Sequence, residues 1–360
     1  MSRVLFLVNH ELVVYNFRLE LVERLLSDGH EVYISSPGGE KIDKLVEMGC
    51  KHEDVALSRR GTNPLEELKL LSYYKKLVKR VSPDIVFTYT IKPNIYGGIA
   101  CKKYGVPYVA NITGLGTAVE RSGLLQCITT VLYKYAFGKV KTVFFQNTEN
   151  MQFFVDRKIA CGKHCLLPGS GVNLERFSPL QYPDDGVVEF AFVARIMKEK
   201  GIDQYLEAAE AIRAKYPNTK FHVCGFCEEE YEGRLAELES RGVIEYHGMV
   251  SDIRTIMENI HCTVHPTYYP EGISNILLES LATGRPIITT DRSGCREVVE
   301  DGVNGFVCRQ RDSEDLIRQI EKFLALSNEE RRQIGLSGRA KVEREFDRQI
   351  VVEKYIMELE

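Results

Sequence analysis

The sequence predicts an α/β fold built from two doubly wound, Rossmann-like domains facing a cleft, and three observations carry that expectation. The chain has 360 residues, about twice the usual size of one domain. Strand-like and helix-like runs alternate from one end to the other, as in parallel sheets covered by helices on both faces. The alternation pauses once, at "LPGSGVNLERFSPLQYPDDG" (167–186), where glycines, prolines and polar residues replace periodicity. Such a stretch reads as a linker. A hydrophobic content of 44% and a charged content of 27% fit a globular protein and exclude a disordered or fibrous one.

The elements follow in order. Before the pause, the apolar runs "RVLFLV" (3–8), "HEVYIS" (30–35), "DIVFTY" (84–89), "PYVANI" (107–112) and "TVFFQN" (142–147) predict strands, with helical periodicity over 16–29 and 65–81. After it, "EFAFVA" (189–194), "KFHVCG" (220–225), "CTVHP" (262–266) and "PIITTD" (286–291) continue the rhythm. Open sheets of this kind bind ligands beyond the carboxyl ends of their strands, so chemistry is sought there. The C-terminal "EREFDRQIVVEKYIMELE" (343–360) predicts an amphipathic helix with Phe346, Ile350, Val351, Tyr355 and Ile356 on its apolar face.

Composition narrows the function classes. The apolar run near the N-terminus stops before Asn9 and His10, too short for a signal peptide or membrane span. Ten irregularly spaced cysteines suggest free thiols in a reducing compartment, and a cytoplasmic address is expected. The formal net charge of −4 hides an asymmetry. Residues 1–180 hold 24 Lys+Arg against 17 Asp+Glu, or +7, and residues 181–360 hold 23 against 34, or −11. A basic half is compatible with nucleic acid, an anionic membrane surface, phosphorylated substrates, or simply scattered solvated lysines.

The segment "YYPEGISNILLES" (268–280) places Glu271 and Glu279 eight positions apart. A turn containing proline and glycine precedes a helix over 275–284 that is capped by Ser274 or Asn275 and closed by Gly284 and Pro286. Glu271 then lies before the helix start and Glu279 one turn inside, with the amides of Gly272, Ile273, Ser274, Asn275 and Ile276 between them. Those amides and the helix dipole favour an anion. On spacing alone, an acidic turn with a surface glutamate explains the pattern equally well. Strand 189–194 runs into "ARIMKEKG", setting Arg195 and Lys200 at the end of a neighbouring strand. Two cations opposite a helix N-terminus form a diphosphate clamp, each charge-assisted hydrogen bond contributing roughly 1.5–3 kcal/mol.

Taken in order, "GVNLERFSP" (171–179), Arg195 with Lys200-Gly201, "HGMVSD" (247–252), the E-x7-E pair Glu271 and Glu279, "GRPIITTD" (284–291) and "EDGVNGFV" (300–307) resemble the retaining GT-B glycosyltransferases of glycosyltransferase family 4. The resemblance implies an acceptor-binding domain over 1–168, a nucleotide-sugar-binding domain over 169–342, and a helix over 343–360 returning to the first domain. It implies that Arg195 and Lys200 hold the donor diphosphate and neutralise it as it leaves, and that Glu279 accepts from the ribose hydroxyls. Glu271, with Gly272, Ile273, Ser274 and Asn275, would contact the donor sugar, and His265 would pack near the phosphates. Main-chain groups of Gly248, Met249 and Val250 would read the nucleobase, beside a turn at Gly225. The nucleotide-sugar is a co-substrate, so no resident cofactor is implied. The chain contains no Asp-x-Asp pair, and a metal-independent enzyme is expected, the cations and the helix end taking the metal's place.

The loop "NHELVVYNFR" (9–18) departs from relatives that carry a glycine pair there, which leaves His10 to face the acceptor or to be a plain loop residue. "NITGLGTAV" (111–119) puts Gly114 and Gly116 at a strand end, but without the third small residue of a dinucleotide fingerprint. The "TGLG" loop and the 9–18 segment are similar to transferases that extend polyprenyl-diphosphate-linked sugars in bacterial surface-glycan and glycoprotein pathways. That similarity implies a peripheral contact with the inner face of an anionic membrane. Arg59, Arg60, Lys75, Lys76, Lys79 and Arg80 would supply the charge, on or near a helix whose other face carries Leu68, Leu71, Leu77 and Val78. The apolar helix 123–138, with Lys134, Lys139 and Lys141, would add to it, each near-surface cation contributing about 1 kcal/mol. Nucleic acid is not an expected partner. Two alternatives differ in outcome: a GT-B sugar-nucleotide epimerase would act on donor alone, and a binding module would not turn over. "CGFC" (224–227) matches a redox spacing but coincides with the family's glycine turn, and Cys161, His164 and Cys165 lack a second ligand pair for zinc.

Overall fold

The structure, a computed structural model, describes residues 1–55, 63–115, 123–184 and 186–360. Contacts divide it into two compact units, Met1–Ser170 with Arg348–Glu360, and Gly171–Asp347.

The first unit holds strands β1 (Arg3–Leu7), β2 (Glu31–Ser36), β3 (Lys51–Asp54), β4 (Ile85–Tyr89), β5 (Tyr108–Ile112), β6 (Thr142–Phe145) and β7 (His164–Leu166). They form one sheet in the order 3-2-1-4-5-6-7, every pair parallel. Its middle strands are apolar at successive positions because helices cover both faces. Leu5, Leu7, Val86, Ala110 and Phe145 pack with Tyr74, Leu77 and Tyr133 on one side. Val4, Phe6, Phe87 and Phe144 pack with Leu21, Leu25, Val352 and Tyr355 on the other. The period of two sends alternate residues of each strand to opposite faces.

The helix expected over 16–29 is two helices, Leu12–Phe17 and Leu19–Ser27. The break is Arg18, whose backbone leaves the helical region at φ −139° while its side chain is buried. Its Nε donates to Tyr355 Oη at 3.1 Å, and its guanidinium lies 5.5 Å from the Tyr89 ring and 5.2 Å from the Tyr355 ring. The next long helix is Pro64–Val81, with Asn63 Oδ1 accepting from the Leu65 N–H at 3.1 Å as an N-cap. Leu70, Tyr74, Leu77, Val78 and Val81 form its buried face. Leu68, assigned to that face from the sequence, is instead 63% exposed. Arg59 and Arg60 lie outside the described residues.

The second unit holds β8 (Val188–Val193), β9 (Thr219–Cys224), β10 (Glu245–Gly248), β11 (Cys262–His265), β12 (Ile287–Thr290) and β13 (Gly305–Cys308). They are ordered 10-9-8-11-12-13, again all parallel. The order reverses between β8 and β11, which makes their carboxyl ends the switch point of this sheet.

The C-terminal segment is not one helix. Asn328–Glu345 ends at Phe346, and a new helix, Arg348–Ile356, follows. Val342 and Phe346 belong to the core of the second unit, whereas Val351, Val352 and Tyr355 enter the core of the first. Arg348 and Glu20 form an ion pair at 2.9 Å. Among the described residues no helix is long and apolar enough to cross a membrane.

Candidate active site

Strand β8 ends beside Arg195, and the short 3-10 turn Lys198–Lys200 leads into the helix Ile202–Lys215. Neighbouring β11 ends at His265 and opens into the 266–274 turn before the helix Asn275–Ala282. The turn is tied to the β8 side by the Tyr268 N–H, which donates to Glu199 O at 2.9 Å. It is tied to the β12 side by the Ser274 N–H, which donates to Gly294 O at 2.9 Å. Gly294 sits at φ +92°, and a Cβ there would collide with the Gly272 carbonyl, so the close approach requires glycine. The bond also corrects one expectation: the Ser274 amide, counted among those offered to a ligand, already has an acceptor. Ser274 is the N-cap without a side-chain cap bond.

The turn and the β8 loop converge on a charged cluster. Lys200, 8% exposed, has its Nζ in contact with Glu271 Oε1. Arg195 pairs through Nη1 with Glu228 Oε2. Both cations face the Tyr269 ring, Arg195 Cζ at 5.2 Å and Lys200 Nζ at 5.0 Å from its centroid. His265, 1% exposed, has Nε2 at 4.0 Å from Glu271 Oε1, and neither ring nitrogen has a hydrogen-bond partner among the described residues. Burial holds this imidazole well below its ordinary range, with Lys200 adding to the effect, so it is neutral at pH 7. Burial likewise pushes the Lys200 ammonium down, to about 7, reinforced by Arg195 and opposed by Glu228. Contact with the Glu271 carboxylate also favours its charged form.

The structure therefore brings Arg195, Lys200 and Glu271 to the switch point of one sheet. Glu228 and Tyr269 were missed. Glu228 lies 33 residues from its partner, and the only hint in the sequence is the acidic run "EEE" after the β9 strand. Glu279 stands one turn into Asn275–Ala282, half-buried, above the buried Leu277, Leu278 and Leu281 that seat this helix. Gly225, at φ +144°, leaves no room for a Cβ against the Ala194 carbonyl, and its N–H donates to Gly248 O at 2.8 Å. The ends of β8, β9 and β10 thus meet, with Met249 exposed and Val250 half-buried beyond Gly248.

The remaining signals have the following surroundings. Burial pushes the Cys224 thiol up to about 12 and raises Cys227 as well, so neither supplies a thiolate. His164 Nε2 lies 2.7 Å from Ile159 O. In the first unit, His10 Nδ1 accepts from the Leu12 N–H at 3.2 Å. Gly114 adopts φ +149°, and Gly116 lies outside the described residues.

Known proteins resemble this chain in sequence family and in fold. Residues 178–341 match the family model described as Glycosyl transferases group 1, and residues 3–147 match Glycosyl transferase 4-like. The N,N'-diacetylbacillosaminyl-diphospho-undecaprenol alpha-1,3-N-acetylgalactosaminyltransferase of Campylobacter jejuni is 26% identical over 98% of this chain and 97% of its own length. The UDP-Gal:alpha-D-GlcNAc-diphosphoundecaprenol alpha-1,3-galactosyltransferase of Escherichia coli is 22% identical over 72% of this chain and 71% of its own. Among solved structures, a glycosyltransferase from Rickettsia africae superposes with TM-score 0.82 at 19% identity, covering 99% of this chain and 97% of the other. Anabaena HepE, in complex with UDP and glucose, superposes with TM-score 0.80 at 16% identity, covering 99% of each chain.

Proposed function

Because the chain belongs to the GT-B glycosyltransferases of family 4, we propose that it moves a hexose or N-acetylhexosamine from a UDP-linked donor to a polyprenyl-diphosphate-linked sugar, with retention at the anomeric carbon. The setting is bacterial surface polysaccharide or glycoprotein biosynthesis, at the cytoplasmic face of the membrane. The observation that carries this reading is the convergence of Lys200, Glu271, Arg195 and neutral His265 at the switch point of the second sheet. The names of the two transferases above support the acceptor class.

The reaction breaks the bond between the sugar's anomeric carbon and the phosphate oxygen, and forms one to an acceptor hydroxyl. Positive charge grows on the sugar and negative charge on the diphosphate. Fixed cations at the leaving oxygen are therefore worth more in the transition state than in the ground state. Arg195 and Lys200 would hold the diphosphate, turning from Glu228 and Glu271 as it binds. Glu271 then becomes available to the sugar hydroxyls, and His265 offers a neutral donor between sugar and phosphate. The acceptor's proton passes to the leaving phosphate, which as the stronger base needs no protein partner. The lack of an Asp-x-Asp pair supports metal-independent transfer.

A donor screen against a polyprenyl-diphosphate-linked sugar, read by mass and repeated with chelator, tests the proposal. Product mass equal to acceptor plus one hexose or N-acetylhexosamine, retained under chelation, is expected. Epimerised donor without acceptor, or activity lost on chelation and restored by a divalent ion, overturns it.

Glu279 would accept hydrogen bonds from the ribose. Its change to alanine is expected to weaken UDP binding about tenfold, the loss of one or two bonds to a charged acceptor, with kcat little changed. Calorimetry with UDP checks this, and an unaltered affinity removes Glu279 from the site.

In the first unit, the helix Leu124–Ala136 buries Thr129, Tyr133 and Ala136 and exposes Leu125, Ile128, Val131 and Tyr135, beside the exposed Lys134, Lys139 and Lys141. Leu65 and Leu68 are exposed on the helix Pro64–Val81. We propose that these apolar side chains enter an anionic leaflet, with the lysines at headgroup level. Val131→Glu is expected to lower partition onto anionic vesicles by about tenfold or more, since one buried aliphatic side chain contributes about 1.5–3 kcal/mol. Equal sedimentation of wild type and variant with vesicles would refute the docking face.

A further inference from the structure

At the edge of the second sheet, away from the charged cluster, three adjacent strands bring histidines and carboxylates together. β8 supplies Glu189, β9 supplies Lys220 and His222, and β10 supplies Glu245 and His247. Glu245 pairs in register with His222. His222 is buried, whereas Glu245 and His247 are exposed.

The ring of His222 is held from behind: Nε2 lies 2.8 Å from Glu189 Oε2. A carboxylate there makes Nε2 the protonated nitrogen and leaves the Nδ1 lone pair pointing outward. That lone pair faces His247 Nε2 at 3.0 Å and Glu245 Oε2 at 3.4 Å. All three ligand atoms lie within 4.8 Å of one another. Donors bound at 2.0–2.1 Å around a tetrahedral zinc ion stand about 3.3 Å apart, close to the two separations measured from Nδ1. The set is two imidazoles and one carboxylate, a zinc-type donor set, with a carboxylate behind one histidine as in metal centres. Lys220 Nζ lies 3.7 Å from Glu189 and 4.0 Å from Glu245, offsetting one of the two carboxylate charges. The exposed side of the cluster gives an ion an entry path and leaves a fourth position for water.

We propose that His222, His247 and Glu245 bind one zinc ion, with Glu189 as the positioning residue for His222. The ion clamps edge strand β10 to β9, directly before the turn that begins at Gly248. Its ligands share no residue with the Arg195–Lys200 cluster.

The test titrates the chelator-treated full-length protein with zinc chloride by calorimetry, and with cobalt(II) by absorption. One ion per chain is expected, with a tetrahedral cobalt spectrum lacking sulfur charge-transfer bands. Glu189→Gln should weaken zinc affinity about 10- to 100-fold, and His247→Ala at least as much. Both His247 and Glu245 are exposed, so their variants keep the fold, which circular dichroism checks. Cys127→Ser and Cys161→Ser, at the exposed cysteines, should bind as wild type does. Absence of saturable binding, a sulfur charge-transfer band, or wild-type affinity in His247→Ala overturns the site.

Discussion

Arg195→Ala is expected to lower kcat about a hundred- to a thousandfold, or roughly 3–4 kcal/mol, with a smaller change in KM, as for the loss of one preorganised transition-state donor. The guanidinium is already engaged within the protein: Glu228 pairs with it beside the Tyr269 ring. A ground-state diphosphate must compete with Glu228 for the same fork, so little net binding energy is gained at first. The competition tips as the glycosyl bond breaks and the diphosphate gains charge, which is the condition for a contact to act on kcat. A lysine at this position keeps the charge but not the planar fork, so Arg195→Lys should recover only part of the loss. The Arg195 side chain is 34% exposed, and its removal leaves Glu228 access to water, so thermal stability should change little. Steady-state kinetics with saturating acceptor decides the matter, and an unchanged kcat removes Arg195 from catalysis.

The parts of this molecule written in local pattern were legible, and those made by distant partners were not. The inner strands announce themselves because both faces are buried, as in "VLFL" and "IVFTY". Edge strands β3 "KHED" and β10 "EYHG" are short and polar, and nothing in their composition separates them from loops. The helix over 16–29 looked continuous because its periodicity is continuous. What breaks it is the burial of Arg18 against Tyr355, 337 residues away, and no window of sequence contains that contact. At the candidate site, motif order names Arg195, Lys200 and Glu271, and the structure sets Lys200 against Glu271 and both cations over the Tyr269 ring. Motif order does not give their compensation by Glu228 and by one another, because ion pairing depends on how β8, β9 and β11 end in space. Leu68 is a different case, because local periodicity does speak there. With 3.6 residues per turn it lies about half a turn from Leu77, so the buried stripe of Leu70, Tyr74 and Leu77 leaves it in solvent.

Lys200→Met should damage both stability and turnover, and a second substitution should separate the two effects. The Lys200 and Glu271 side chains are 10% and 16% exposed, so removing the cation strands a mostly buried carboxylate beside neutral His265. Breaking such a pair costs about 3–5 kcal/mol, nearer the lower figure here because Glu271 keeps some solvent. In a unit of this size that corresponds to a fall in Tm of about 6–12 °C. Adding Glu271→Gln removes the stranded charge, so the double variant should regain most of that Tm, while kcat stays low because the diphosphate still lacks its cation. The pH dependence has a defined sign. Burial holds the Lys200 ammonium down to about 7, from an ordinary 10.5. Below about 7 the group is charged in both folded and unfolded chains, and its burial penalty is complete. Between about 7 and 10.5 the unfolded chain binds a proton that the folded chain does not, so this group's contribution to stability rises with pH. Lys200→Met should lose that rise, which Tm measured across the window reports. A bound diphosphate reverses the balance by favouring the ammonium, so UDP binding near pH 8 should take up protons, seen as a buffer-dependent binding enthalpy. Wild-type Tm and kcat in Lys200→Met, or a double variant no more stable than the single one, would show that the Lys200–Glu271 contact neither holds this turn nor serves the donor.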